Sequence, residues 1–443
     1  MSDTYDVVII GAGPGGFAAA LEASRLGAHV ALVEKVQIGG VCLNWGCIPT
    51  KTLIAGVEVL KTVRDAAAWG IDAPCNGFDL SVLMARKNAV VENLRNGMLM
   101  QLKRAKIALI EDEACIGLAS SESHHTINLR RSEKSIYAKN IIVATGSVPR
   151  ELPDIHFDRK TVLSSRDILT LEKLPRAITI IGGGVIGCEC AHILNGLGVE
   201  VTLFEMAAHL LPCEDAELGK RLAVSFKKRG IVVHVGKMCA APAATYDTPV
   251  LIAIGRSQDT LALCGQLIDK NENGTICVND YLQCSVRGIY AIGDCIDSPQ
   301  LAHMASYEGI VAARNALRDT PEKMRYDVVP NCVYVKPEIA SVGLTLDKAK
   351  KAGLNAVVSK ILFSAIGKAQ VIGSPEGFLK LVYDMTSKKV LGAQIMGPSA
   401  SDIIAEIALC VRHELTVDAI AETIHAHPSL SEIVFEAAHG ALD

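Results

Sequence analysis

The chain has 443 residues, half of them hydrophobic, with few aromatics and 37 glycines; that is long enough for two to four domains with aliphatic cores. Its 44 basic and 48 acidic residues leave a net charge of −4, which gives no basic footprint for nucleic acid. No run reaches the roughly 18 apolar residues of a membrane-spanning helix, and the polar start Met1–Asp6 does not read as a signal peptide, so a cytoplasmic protein is expected.

Tyr5–Ile10 reads as a buried strand, followed by Gly11-x-Gly13-x-x-Gly16, a helical stretch to Leu26, and a strand Ala28–Val33 ending at Glu34. In such a unit the first glycine permits the tight turn, the second lets backbone approach a pyrophosphate, and the third packs helix on strand. The pyrophosphate sits on the helix N-terminus. The acid closing the second strand suits ribose hydroxyls and repels a 2′-phosphate.

Gly39–Lys51 reads GGVCLNWGCIPTK, with Cys42 and Cys47 five residues apart. On a regular helix five residues give about 7.5 Å of rise, whereas bridged cysteines need Cα atoms roughly 4.4–6.8 Å apart. An irregular turn eased by Gly46 meets that limit. A redox disulfide, half a metal site and two unrelated core cysteines all stay open here, although no second Cys/His pair completes a zinc site. The isolated cysteines Cys188, Cys190, Cys332 and Cys410 lie in apolar surroundings and are expected as buried small hydrophobes.

Ile141–Gly146 looks like a strand returning to the first unit. Ile178–Ile181 then restarts the opening pattern with Gly182-x-Gly184-x-x-Gly187, a helix to Leu197, strand Val199–Phe204 and Glu205. A shift of 171 residues superimposes Gly11 on Gly182 and Glu34 on Glu205. Two copies of one βαβ unit predict two bound dinucleotides, neither of them NADP.

Further on, the pattern gives a helix Ala216–Arg229, strands Ile231–Val235 and Val250–Gly255, a buried strand Ile289–Asp294 and a helix Ala302–Leu317. Beyond Asp327 the chain changes to strands and turns over Asp327–Gly343 and Gly377–Gly397, with helices at Asp402–His413 and Val417–Glu422. Near the end, His425-Ala-His427-Pro-Ser-Leu-Ser-Glu432 combines imidazole and carboxylate, which by itself fits a structural pair, a metal ligand set or a proton-transfer group.

The segment Gly39–Lys51 closely resembles the redox motif of the pyridine nucleotide–disulfide oxidoreductases, in their dihydrolipoamide dehydrogenase branch, and the resemblance extends over nearly the whole chain. It implies FAD in the first unit and NAD in the second. It implies that Cys42 exchanges disulfides with substrate and that Cys47 lies against the flavin as a thiolate. Lys51 matches the lysine near the flavin and Glu189 its ion-pair partner. Ala144-Thr145-Gly146 resembles the returning flavin strand, Asp294 the acid on the ribityl chain, Ala302 part of the adjoining segment, and Gly255 the strand end near nicotinamide. His427 would be the acid–base group, oriented by Glu432 and reaching the partner subunit's site, which implies an obligatory homodimer. His425 and His439 are assigned to structure.

The expected reaction is oxidation of dihydrolipoyl groups with reduction of NAD, and the implied partner is a lipoyl domain of a 2-oxoacid dehydrogenase complex or of glycine cleavage. The chain ends HGALD, without the cysteine pair of mercuric reductases, and Glu205 is followed by Met206, Ala207, Ala208 and His209, without the arginines of glutathione reductases. A reductase of another disulfide and a non-catalytic flavin-binding protein are the alternatives.

The expected fold is α/β, with two Rossmann-like dinucleotide-binding domains and an α+β dimerisation domain. The bounds are 1–146 and 257–326 for the FAD domain, 147–256 for a shortened NAD domain and 327–443 for the interface domain. The shortening is read from the 14 residues, rich in Ala and Pro, between strands Ile231–Val235 and Val250–Ile254, where the family carries a longer β-meander. Tyr307, Lys336 and Ile366 also depart from the family pattern.

Overall fold

The computed structural model describes residues 4–75, 77–117, 124–153, 155–239, 248–258 and 268–442. The part of the shortened segment at 240–247 therefore lies outside the described residues.

The first unit contains β1 (Thr4–Ile10), α1 (Pro14–Arg25), β2 (Val30–Val33), α2 (Gly40–Trp45), α3 (Cys47–Arg64), α4 (Leu80–Arg104), β3 (Ala108–Ile110), β4 (Ala114–Ile116), β5 (His125–Leu129) and β6 (Lys134–Val143). The chain then enters a second unit of β7 (Ser147–Pro149), β8 (Val162–Leu163), α5 (Ser165–Ile168), β9 (Ala177–Ile181), α6 (Val185–Gly196), β10 (Glu200–Glu205), α7 (Ala216–Lys228), β11 (Val232–Val235), β12 (Val250–Ile252) and β13 (Arg256–Gln258). It returns through β14 (Ile289–Ala291) and α8 (Ala302–Leu317).

In the first sheet, β14 joins β6 as a parallel neighbour of the path β3-β2-β1-β6-β5-β4. The central strands are buried apolar runs from Val7 in β1 and throughout β2 and β14, as strands covered on both faces require. Helices α1 and α8 cross closely because Gly15 and Gly309 carry no side chain. A Cβ at Gly309 would lie 2.3 Å from the carbonyl oxygen of Gly15.

The second unit is a wholly parallel five-stranded sheet, β11-β10-β9-β12-β8. The antiparallel ribbon β7–β13 closes the two crossings between the units. The last unit is an antiparallel sheet of β15 (Asn331–Val333), β16 (Glu338–Gly343), β17 (Ala356–Leu362), β18 (Phe378–Asp384) and β19 (Val390–Gly397), in the order β15-β16-β19-β18-β17.

Both βαβ units lie where the repeat predicts, with no expected end off by more than two residues. Cys188, Cys190 and Cys410 are buried as expected; Cys332 is not, because β15 presents it half-buried to a cavity. Among the family departures, Ile366 fills the core of the last unit, and Tyr307 is exposed on α8. Among the described residues no helix is long and apolar enough to cross a membrane.

Candidate active site

One cavity of about 1790 Å³ runs between the three units. Both glycine turns open onto it. Gly11 and Gly182 have φ of +104° and +109°, and a Cβ on either would lie 2.3 Å from a carbonyl oxygen, that of Ala144 or Ala253. At the third glycines, Gly16 and Gly187, a Cβ would overlap the carbonyl oxygen of the first, at 1.8 and 1.9 Å. At the second, Gly13 and Gly184, it would meet nothing within 4 Å, leaving bare backbone facing the cavity at a helix N-terminus, as anion binding requires.

The acids follow the same repeat. Glu34 accepts from the amides of Ala12 and Val36, both at 2.8 Å, and Glu205 accepts from those of Gly183 and Ala207, both at 2.7 Å. Each carboxylate oxygen takes one amide and keeps a free lone pair for a ribose hydroxyl. The acids thus have a second task beyond the ribose contact read from sequence: they fix the glycine turn.

The redox pair sits on a broken helix. Gly46, at φ −142° and ψ −114°, separates α2 from α3. A Cβ there would lie 2.9 Å from the carbonyl oxygen of Val41 and 3.2 Å from the Cα of Cys42, so glycine is what lets the two cysteines close up. Asn44 holds the loop by donating to the carbonyls of Ile38 and Gly40 at 3.0 and 2.9 Å, and Arg95 of α4 donates to Asn44 at 2.7 Å.

Cys47 is the first residue of α3. A hydrogen bond from Cys42 holds its thiol down at about 7, against burial, with the positive charge of Lys51 assisting. The same hydrogen bond and burial push the Cys42 thiol well up. Of the two, Cys47 is the more readily ionised.

Lys51 donates to both oxygens of Glu189 at 2.9 Å, joining α3 to α6. Glu189 also accepts from the amide of Tyr334 at 3.0 Å, and Lys51 lies 4.6 Å from the Tyr334 ring centre. Two turns further along α3, Glu58 lies 3.2 Å from Nε2 of the buried His192, while Arg229 donates to its Nδ1 at 3.1 Å. Arg229 also reaches the carbonyl of Lys336, whose ammonium is 3.9 Å from both Glu58 and Glu338. That explains a lysine at this position: it neutralises a carboxylate junction.

Around the returning strand, Thr145, Gly146, Gly255, Asp294 and Ala302 all line the cavity. Thr145 presents a buried hydroxyl oxygen with no hydrogen-bond partner among the described residues. Ser147 donates to Asp294, and Arg256 donates to Ser147 at 2.6 Å and lies 3.7 Å from Asp294. An orphaned hydroxyl, two bare glycine turns and a held acid on one cavity fit two dinucleotides.

His427 stands elsewhere. Its Nδ1 is 2.8 Å from Glu432, which also accepts the Ser429 amide at 2.8 Å, and its side chain is 78% exposed. No residue of 425–432 lines the cavity. His425 and His439 bond to nearby groups and lie against the Phe435 ring in tilted contacts, as structural residues do.

Comparison with known proteins agrees with this geometry. Residues 5–309 match the model of the pyridine nucleotide-disulphide oxidoreductases and residues 329–438 their dimerisation domain. The chain belongs to the pyridine nucleotide-disulphide oxidoreductase family. Members of this branch use FAD and NAD. The dihydrolipoyl dehydrogenase of Bacillus subtilis is 39% identical over 464 residues, covering 99% of this chain and 98% of its own. That of Chlamydia pneumoniae is 38% identical over 453 residues, covering 99% and 97%. Among solved structures, LpdA from Mycobacterium tuberculosis superimposes with a TM-score of 0.92 at 27% identity, covering 99% of each chain. The HOCl-induced flavoprotein disulfide reductase RclA from Escherichia coli gives 0.86 at 26%, covering 98% of this chain and 99% of that one.

Sequence reasoning passed over two residues that support the site from behind its lining. Glu308 is fully buried on α8, accepting from the Gly293 amide at 2.6 Å and from the Tyr326 hydroxyl at 3.0 Å, and burial pushes its carboxyl up. A lone acid among the small buried residues of α8 was the signal. Arg95 had none, since nothing local ties α4 to the cysteine loop.

Proposed function

We propose that this enzyme oxidises dihydrolipoyl groups to the lipoyl disulfide and reduces NAD to NADH. The observation that carries the reading is the Cys42–Cys47 pair, split by Gly46, opening on the same cavity as both nucleotide turns. Gly11, Gly13, Gly16, Glu34, Thr145, Gly146, Asp294 and Ala302 hold FAD; Gly182, Gly184, Gly187, Glu205 and Gly255 hold NAD. FAD, when bound, supplies the two-electron relay between dithiol and NAD.

The chain's own residues perform the thiol exchange. In the oxidised pair a lipoyl thiolate attacks the sulfur of Cys42; a new S–S bond forms as the Cys42–Cys47 bond breaks, and Cys47 leaves as thiolate. The thiol of lower pKa leaves faster, and Cys47 is that thiol. The second lipoyl thiol loses its proton to His427 and attacks the mixed disulfide, releasing lipoyl disulfide and the Cys42 thiolate. Glu432 holds the His427 ring in place. His427 is exposed and does not line its own cavity, which supports a role in the site of the paired subunit. Lys51 and Glu189 hold the redox helix against the NAD-binding unit.

The same proposal takes the domain bounds as 1–146 with 257–326, 147–256 and 327–443. It takes a lipoyl domain as the partner and the cytoplasm as the location.

Anaerobic titration with dihydrolipoamide and then NAD, followed by absorbance, tests the reading. A long-wavelength thiolate–flavin band should appear with the dithiol and vanish with NAD. Bound flavin with no such band would overturn the substrate assignment.

A further inference from the structure

The cross-strand register of the last sheet places Asn331, Ser341, Gln394, Lys380 and Lys360 directly opposite one another on five neighbouring strands. Opposed residues share a face, so this is one polar row across the whole sheet. An acidic turn of the second unit lies along it. Glu214 accepts from Asn331 and, at 2.6 Å, from Ser341. Asp215 binds Lys380 at 2.8 Å, and Glu217 binds Lys360 at 2.5 Å and Lys380 at 3.6 Å.

This turn leads directly to the second glycine motif. Asp215 also caps α7, accepting from the Glu217 amide at 2.9 Å. The amide of Glu214 donates to Leu211, and that of Leu211 donates to Gly183 inside the nucleotide turn, at 2.9 and 2.8 Å. Gly219 of α7 packs so tightly on this segment that a Cβ would lie 1.9 Å from the carbonyl oxygen of Leu210. A shift at the row therefore reaches the nucleotide turn through backbone hydrogen bonds.

Apolar contacts join the same two units, Leu210, Leu218 and Leu222 falling in one core with Ile339, Phe378 and Met396. Hydrophobic contact is non-directional and tolerates sliding. Charged groups in a fixed register do not. Lys380 and Asp215 are only 12% and 13% exposed, and removing one partner of such a pair strands the other.

We propose that the acidic turn seated on this row is the bearing that sets the NAD-binding unit on the dimerisation domain, with Asp215 and Lys380 as positioning residues for NAD. The inference rests on the second glycine motif being the NAD site. Calorimetric NAD affinity and hydrogen exchange at Gly183 and Leu211 are the readouts, beside the rate at which dithiol reduces the redox pair.

Lys380→Met should weaken NAD binding about tenfold, a usual size for coupling between sites, and speed exchange at both amides, leaving dithiol reduction unchanged. Lys380→Arg, or the exchange of charges in Asp215→Lys with Lys380→Asp, should restore part of the affinity. Unchanged affinity and exchange in Lys380→Met, or equal loss of both half-reactions without rescue, would overturn the bearing. Should Lys380→Met fail to fold, Lys360→Met and Ser341→Ala on the same row take its place and must shift the same two readouts. A parental protein that binds no NAD would sink the assignment of the second motif; parental binding with an unaffected variant sinks the bearing alone.

Discussion

Cys42 and Cys47 are chemically identical, and their surroundings make them different. Burial and the nearby Lys51 ammonium act on both; what separates them is that Cys47 receives the hydrogen bond and Cys42 donates it. Cys42→Ser should abolish dihydrolipoamide oxidation while NADH still reduces the flavin, and surviving turnover in a stopped-flow assay would dismiss the exchange role. The proton balance of Cys47 gives a second expectation. Its pKa is depressed from 9.0 to about 7, so thiolate is present above about pH 7 and disappears below it. The long-wavelength band of the reduced enzyme should titrate there, and Lys51→Met should move the midpoint upward. A midpoint near that of an ordinary thiol in the parental enzyme would contradict the assignment.

Local elements were the most legible part of the chain. Each glycine turn carries its own steric logic in six consecutive residues, so its strand, turn and helix were readable from position 5 or 178 onward. The acids Glu34 and Glu205 were readable as ribose contacts, but their grip on the turn amides needs the fold to bring strand end and turn together. Glu205→Ala should therefore do two things. It should relax discrimination against NADPH, and it should weaken NAD itself, since the Gly183 and Ala207 amides lose their acceptor. Equal affinities for NAD in variant and parent, by calorimetry, would reduce the acid to a ribose contact alone. Helix α4 was not anticipated, because its 25 residues keep few buried positions. Yet it supplies Arg95 to the redox loop.

At the scale of the molecule, sequence gave the list of units but not how they meet. The ties Lys51–Glu189, Glu58–His192 and Asp215–Lys380 each join residues more than a hundred positions apart, and no spacing rule reports on those. The exposed His427 raises the matter of which subunit it serves. Its replacement by Gln should lower dithiol turnover by roughly 10²–10⁴. Mixing Cys42→Ser with His427→Gln subunits separates the two possibilities. If the histidine works across the dimer, the hybrid contains one intact site and about half the parental activity per dimer; if it works within its own chain, the hybrid is inactive.

The near-identity of the two nucleotide turns has a practical use. Position by position they share the same strained glycine, the same backbone clash and the same carboxylate anchor, yet the proposed function gives one to FAD and the other to NAD. A single chain thus contains a matched pair of experiments. The same substitution made at Glu34 and at Glu205 perturbs equal local geometry, so any difference in outcome reports on the ligand and its neighbours and not on the turn.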